Sequence, residues 1–219
     1  MNITVILKLV GQSTLETLSM TFFSALFATI LGFPLGILLN ITGKFGITPK
    51  PLFNQILSRI IDILRSFPFV ILMIMLLPFT RLILGTAIGT TATIIPLSLA
   101  AMPFVARVTE SAISDVESGM IQAARAMGST NWQIVYKVLV PEAMPSVVSG
   151  ITLTIITLIG YSAMAGTLGG GGLGDLAIRY GYQRFRTGIM VAAVIIIVVM
   201  VAAIQFAGTK ITDKMMGRR

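Results

Sequence analysis

The sequence predicts an all-α membrane protein with five transmembrane helices. Three observations carry that expectation. The chain of 219 residues is 55% hydrophobic and only 11% charged, and its mean hydropathy is +0.94. Four long uncharged runs, 17–43, 82–106, 143–174 and 187–209, are each of the length a helix needs to cross a bilayer. That length is about 20 residues, at 1.5 Å of rise per residue. Finally, basic residues gather at the ends of these runs, where membrane helices carry their anchors.

The elements follow in order. The opening segment, MNITVILKLV, is too short for a span and has no small-residue cleavage site, so it does not read as a removable signal. The first span is placed at 17–40. Within it Gly32 and Gly36 make a small-xxx-small pattern around Pro34, which suits close helix approach. A second span is placed at 58–80. Its uncharged stretch 66–80 is short alone and extends back through Ile60, Ile61, Ile63 and Leu64. At its base Arg59, Asp62 and Arg65 lie three apart, the spacing of an intrahelical ion ladder. The third span is placed at 83–106. Pro34, Pro68, Pro78, Pro96 and Pro103 should kink or break their helices, as neighbours or a cavity allow in membranes.

A polar island at 118–142 separates the third and fourth spans. Ser118 can cap a short helix from Gly119. Ala123, Ala124, Ala126 and Met127 give that helix a low-relief apolar surface, and Gly128 stops it in the left-handed position. Thr130 with Gln133 reads as a capping box that opens a second helix. Pro141 and Pro145 punctuate the return to the membrane. A short helix held sideways between spans suits docking into a groove on a soluble partner. The fourth span, 144–166, leads into the run Gly169–Gly174, and the fifth is placed at 187–209. These spans occupy most of the chain, so residues 1–219 form a single transmembrane domain.

Several functions are excluded. The chain has no cysteine and no histidine, which removes disulfides, thiolate chemistry and the usual metal sites. Ser162 has no histidine to activate it, so a serine hydrolase is not expected. There is no G-x-x-x-x-G-K-[ST] sequence. Gly169–Gly174 satisfies G-x-G-x-x-G only formally, because it follows a membrane helix rather than a strand. The net charge of +8 belongs to membrane flanks rather than to nucleic-acid binding. No acidic residue stands mid-run, whereas ion-coupled carriers need ionisable groups at membrane depth. Energy should therefore come from elsewhere.

The spacing Ala123, Ala124, Gly128, Pro141 resembles the cytoplasmic coupling loop of ABC importer permeases, whose pattern runs Glu-Ala-Ala, Gly, then Ile-x-Leu-Pro. Here Gln122, Val138 and Val140 replace the Glu, Ile and Leu, and the uncharged Gln122 removes an ion pair. Arg65-Ser-Phe-Pro-Phe69, Gly160-Tyr-Ser-Ala-Met164, Gly169–Gly174 and Ile204-Gln-Phe-Ala-Gly208 stand in the order seen in permeases of the methionine ABC importers. The resemblance covers the chain from about residue 11 onward.

It implies the type I ABC importer permease fold and a non-catalytic subunit that moves methionine across the bacterial inner membrane, both enantiomers and close analogues included. It implies a second copy of the chain, two cytoplasmic ABC ATPase subunits and an extracytoplasmic substrate-binding protein. ATP and magnesium would be bound by the ATPase, with no cofactor in this chain. Gln122, Ala123, Ala124, Met127, Gly128 and Pro141 would couple to the ATPase. Tyr161, Ser162 and Met164 are candidates for the pathway or gate, since they place polarity and flexible bulk late in the fourth span. With the island in the cytoplasm, eleven basic residues fall inside and five outside, in line with the positive-inside rule. The N-terminus is then outside and the C-terminus cytoplasmic. Two alternatives stay open: a permease of this fold for another amino acid or small solute, and a stand-alone carrier.

Overall fold

The computed structural model describes residues 3–217, and among them every regular element is helical. Met1 and Asn2 of the opening segment, and Arg218 and Arg219 of the inner basic set, lie outside the described residues.

Helix α1 spans Ile3–Thr42, 40 residues without interruption. The opening segment thus joins the first span instead of standing apart. Gly11 costs a helix only about 1 kcal/mol relative to alanine, and the turn is held by packing. Ile6, Leu9 and Val10 lie against Leu173, Leu176, Ile189 and Ala193.

The stretch expected as one span at 58–80 falls on two helices, α2 (Pro51–Ser66) and α3 (Phe69–Leu84), bent by 105°. Phe67 and Pro68 are extended between them, with ψ of 128° and 130°. The cause is Pro68, whose ring disfavours the helical region for the residue before it. The other four prolines, Pro34, Pro78, Pro96 and Pro103, stay inside continuous helices.

Helix α4 (Thr90–Ser114) is the most enclosed of the candidate spans and packs along α1. Gly32 and Gly36 make that approach possible. A Cβ on Gly32 would lie 2.5 Å from the Met102 carbonyl oxygen, and one on Gly36 only 2.4 Å from that of Ala106. The small-xxx-small reading therefore describes a backbone-to-backbone seam. Met20, Ala28, Phe69, Met73, Leu97, Val105 and Leu158 fill the central core around it.

A short helix α5 (Ser118–Ala126) and a single turn α6 (Asn131–Ile134) follow. A π-helical turn, Val135–Leu139, then carries the chain into α7 (Val140–Ala165). Helix α7 runs on into a second π-helical turn, Gly166–Gly170, where Gly169 leaves helical geometry at φ 89° and ψ 17°. After it come α8 (Gly172–Leu176), another π-helical turn (Ala177–Tyr182) and α9 (Thr187–Met216). Helix α9 lies on α7, where Gly208 faces Thr152 closely enough that a Cβ would meet it at 2.3 Å.

Among the described residues four helical stretches are long and apolar enough to cross a membrane, and the bent α2–α3 pair makes a fifth if taken as one span. Large apolar side chains stay exposed along α1, α3 and α9, Phe22, Ile30, Ile83 and Val198 among them. Such faces suit lipid or another copy of the chain.

Candidate functional site

The polar island folds into a small, self-supported platform. Helix α5 ends in a Schellman arrangement: Ser129 N–H donates to the Ala124 carbonyl (3.0 Å) and Gly128 N–H to that of Arg125 (2.9 Å). Gly128 has φ of +80°, the left-handed conformation that glycine adopts freely. The capping box is complete. Gln133 N–H donates to Thr130 Oγ1 at 3.3 Å, and Thr130 N–H donates to Gln133 Oε1 at 2.8 Å. The start of α5 differs from expectation. Glu117 holds the cap position, no side chain accepts there, and Ser118 is the first helical residue.

One face of α5 is committed to the protein itself. Ala124 is buried and, with Ile121, packs against Ile134, Val135, Leu139 and Ala143. The opposite face is open. Gln122, Ala123, Arg125, Ala126, Met127 and Gly128 are exposed, and so is Pro141 at the first turn of α7. Of the residues expected to meet a partner, Ala124 thus seats the helix while the others present a surface. Two more large side chains of the island are open. Trp132 (75% exposed) and Tyr136 (66%) stand four positions apart, and Met127 is 79% exposed. Their i, i+4 spacing behind the Thr130 cap was a usable sequence signal.

A polar cluster braces this end of the molecule. Arg107 Nη2 donates to Asp62 Oδ1 (2.7 Å) and to Ser58 Oγ (2.6 Å) and the Ser58 carbonyl (3.1 Å); Nη1 donates to Glu110 Oε2 (2.7 Å). The planar guanidinium fork serves two helices at once. Asp62 is therefore bonded across to α4, rather than within an Arg59–Asp62–Arg65 ladder. Arg65 lies over the Phe104 ring, 5.8 Å from its centroid.

The three pathway candidates sit in different surroundings. Tyr161 stacks on Phe69 with centroids 4.4 Å apart and planes 3° from parallel. Ser162 is buried, and its hydroxyl donates to the Ile159 carbonyl of its own helix at 2.8 Å. Met164 projects from the bundle, 47% exposed.

At the opposite end, the glycine-rich run is a packed turn. Gly172 N–H donates to Glu16 Oε2 (2.9 Å), Leu173 N–H to Thr17 Oγ1 (2.8 Å), and Gly89 N–H to the Gly169 carbonyl (3.0 Å). Among the described residues, no group of three acidic, histidine or cysteine side chains could hold a metal ion.

Comparison with known proteins agrees with this arrangement. Residues 32–216 match the family described as binding-protein-dependent transport system inner membrane component. The probable D-methionine transport system permease protein MetI of Pasteurella multocida is 53% identical over 207 residues, 94% of this chain and 95% of that protein. Its counterpart in Haemophilus influenzae is 50% identical over 205 residues, 94% of this chain and 96% of that one. A chain from the inward-facing MetNI methionine ABC transporter superposes with a TM-score of 0.95 at 43% identity, covering 98% of this chain and 99% of that one.

Proposed function

The chain belongs to the family of binding-protein-dependent transport system inner membrane components, and from that premise we propose that it is the membrane subunit through which methionine enters the cell. The permease subunit of an ABC importer does no hydrolytic chemistry of its own. The observation that carries the reading is the platform 118–142: a capped helix, seated on one face and open on the other, between two membrane spans.

The proposed assembly has two copies of this chain, two cytoplasmic ATPase subunits and an outer substrate-binding protein. ATP and magnesium belong to the ATPase. Two copies supply what one lacks, because a single bundle of kinked helices encloses a path poorly. Gln122, Ala123, Met127 and Gly128, with Trp132 and Tyr136, form the ATPase-facing surface; Ala124 fixes its tilt and Pro141 marks the turn into α7. Closure of the ATPases on ATP would draw the two platforms together and rock the spans. Tyr161, Ser162 and Met164 form the pathway segment, with Met164 the side chain placed to meet its copy. The N-terminus lies outside and the C-terminus in the cytoplasm, with the platform, and the whole of 1–219 acts as one permease domain.

The test is uptake of radiolabelled methionine by proteoliposomes holding the permease, its ATPase and its binding protein. Uptake is expected to require ATP and to survive a protonophore at constant ATP. Loss of uptake on proton-gradient collapse with ATP maintained would instead favour an ion-coupled carrier.

A further inference from the structure

The break between α2 and α3 opens onto a chamber that the coupling surface does not explain. It has a volume of about 190 Å³ and is lined by Leu64, Arg65, Phe67, Phe69, Phe104 and Tyr161, among others. A second, smaller hollow of about 90 Å³ adjoins it through Ala100, Phe104 and Tyr161. Together they lie between α2, α3, α4 and α7.

Three features make this an unusual place. The first is lining. One guanidinium, that of Arg65, stands among the rings of Phe67, Phe69, Phe104 and Tyr161. The second is pairing. Asp62 and Glu110, the nearby carboxylates, are both taken by Arg107. Among the described residues no carboxylate pairs with Arg65, whose one close partner is the Phe104 ring. The third is the broken helix. Phe67 and Pro68 leave α2 and α3 at 105°, so backbone is freed beside a cavity, the setting in which membrane proteins tolerate it.

We propose that this chamber is a transit site for the zwitterion of an apolar amino acid, with Arg65 receiving the α-carboxylate. The inference rests on the transport reading given above and adds the place of contact within it. The fork geometry of arginine fits a carboxylate in two bonds. The outward face of the Phe69–Tyr161 stack favours the ammonium group through its negative ring potential. Leu64, Leu72 and Ala100 receive an unbranched apolar side chain. The site holds no fixed anion for the ammonium group, so it attracts the whole zwitterion weakly and releases it. Weak, single-charge recognition is what a gated path needs if the outer binding protein supplies affinity.

The test uses the permease–ATPase complex in nanodiscs, without binding protein, and a diazirine analogue of methionine. On illumination the label is expected in peptides carrying residues 64–72, 100–104 and 161. Methionine should compete it away, whereas methioninol, which lacks the carboxylate, should compete about tenfold less well, because a charge-assisted pair is lost. Arg65→Gln should lower labelling by a similar factor and Arg65→Lys should restore part of it. Label confined to other peptides, or methioninol competing as well as methionine, overturns the proposal. If Arg65→Gln fails to co-purify with the ATPase, the methioninol comparison on the unaltered complex decides alone. Absent methionine uptake in the full proteoliposome system would sink the transport reading itself. Normal uptake with no label in those peptides would sink only the chamber.

Discussion

Glu16 and Gly172 stand 156 positions apart, yet the Glu16 carboxylate accepts the Gly172 N–H at 2.9 Å. Its other oxygen accepts from Gln12 Nε2 at 3.0 Å. One turn of α1 thus clamps the start of α8, with Thr17 receiving the next N–H along. With the Gly89 N–H on the Gly169 carbonyl, the glycine-rich run is held by three hydrogen bonds from two sides, which is why it forms an ordered turn rather than a slack connection.

Glu16→Ala should release this clamp. Removing a hydrogen bond to a charged acceptor costs about 1.5–3 kcal/mol when the donor is left buried. The expected result is a lower melting temperature of the purified permease–ATPase complex and faster proteolysis within 166–182. Glu16→Gln, which keeps an acceptor oxygen, should recover most of the loss. Unchanged melting in Glu16→Ala would show that packing alone fixes the turn.

Gly36→Val should damage the α1–α4 seam. The new side chain has no room beside the Ala106 carbonyl and Thr109 Cβ, which a bare Cβ would already meet at 2.4 and 2.5 Å. Backbone cannot yield as a flexible side chain can, so the cost should exceed the roughly 1–3 kcal/mol of ordinary overpacking. The measurement is the yield of monodisperse protein after detergent extraction. Wild-type yield and melting would mean that the helices can separate without penalty.

Gly128→Val tests the coupling platform, and it isolates backbone strain from crowding. No atom lies within 4 Å of a Cβ at this position. The only obstacle is the φ of +80°, costing about 1–2 kcal/mol for a residue with a side chain, and more for a β-branched one. The protein should still insert, but ATPase assembly should fall or ATP hydrolysis should proceed without uptake. Co-purification and transport both at the unaltered level would remove this end of α5 from coupling.

Met164 tests the pathway. A thioether repacks easily, so two such side chains meeting near a two-fold axis would make an adaptable plug. Met164→Ala should raise leakage of methionine in the absence of partners, and Met164→Trp should block uptake while ATPase binding persists. Unchanged leakage and uptake in both would reduce Met164 to packing.

The parts of the fold legible in sequence were those governed by local chemistry. Thr130 with Gln133 announces its capping box, Gly128 its left-handed turn, and Gly32 with Gly36 its close approach, because each signal lies within a few residues. What escaped was set by distant partners. Asp62 looks toward Arg59 and Arg65 along its own helix but is claimed by Arg107, 45 positions away. Ser118 has a capping side chain, yet the helix begins one residue earlier than that role requires. The opening segment is too short to span by itself, and only its packing on Leu173 and Ile189 makes it one helix with the first span. Ala124 and its neighbour Ala123 cannot be told apart by type; burial against Ile134 separates them.

The run from Asn131 to Ala165 has a mechanical consequence. Its segments of 4, 5 and 26 residues follow without a break, and at 1.5 Å per residue they make a lever about 52 Å long. Gly150 gives it a natural fulcrum near the middle, pressed so close to Val108 that a Cβ would sit 1.8 Å from a methyl carbon. A tilt of about 10° about that point would swing each arm by about 5 Å, from the same length. A pull on Trp132 at one end would therefore be felt at Met164 as a displacement of opposite sense, delivered by leverage through a stiff beam.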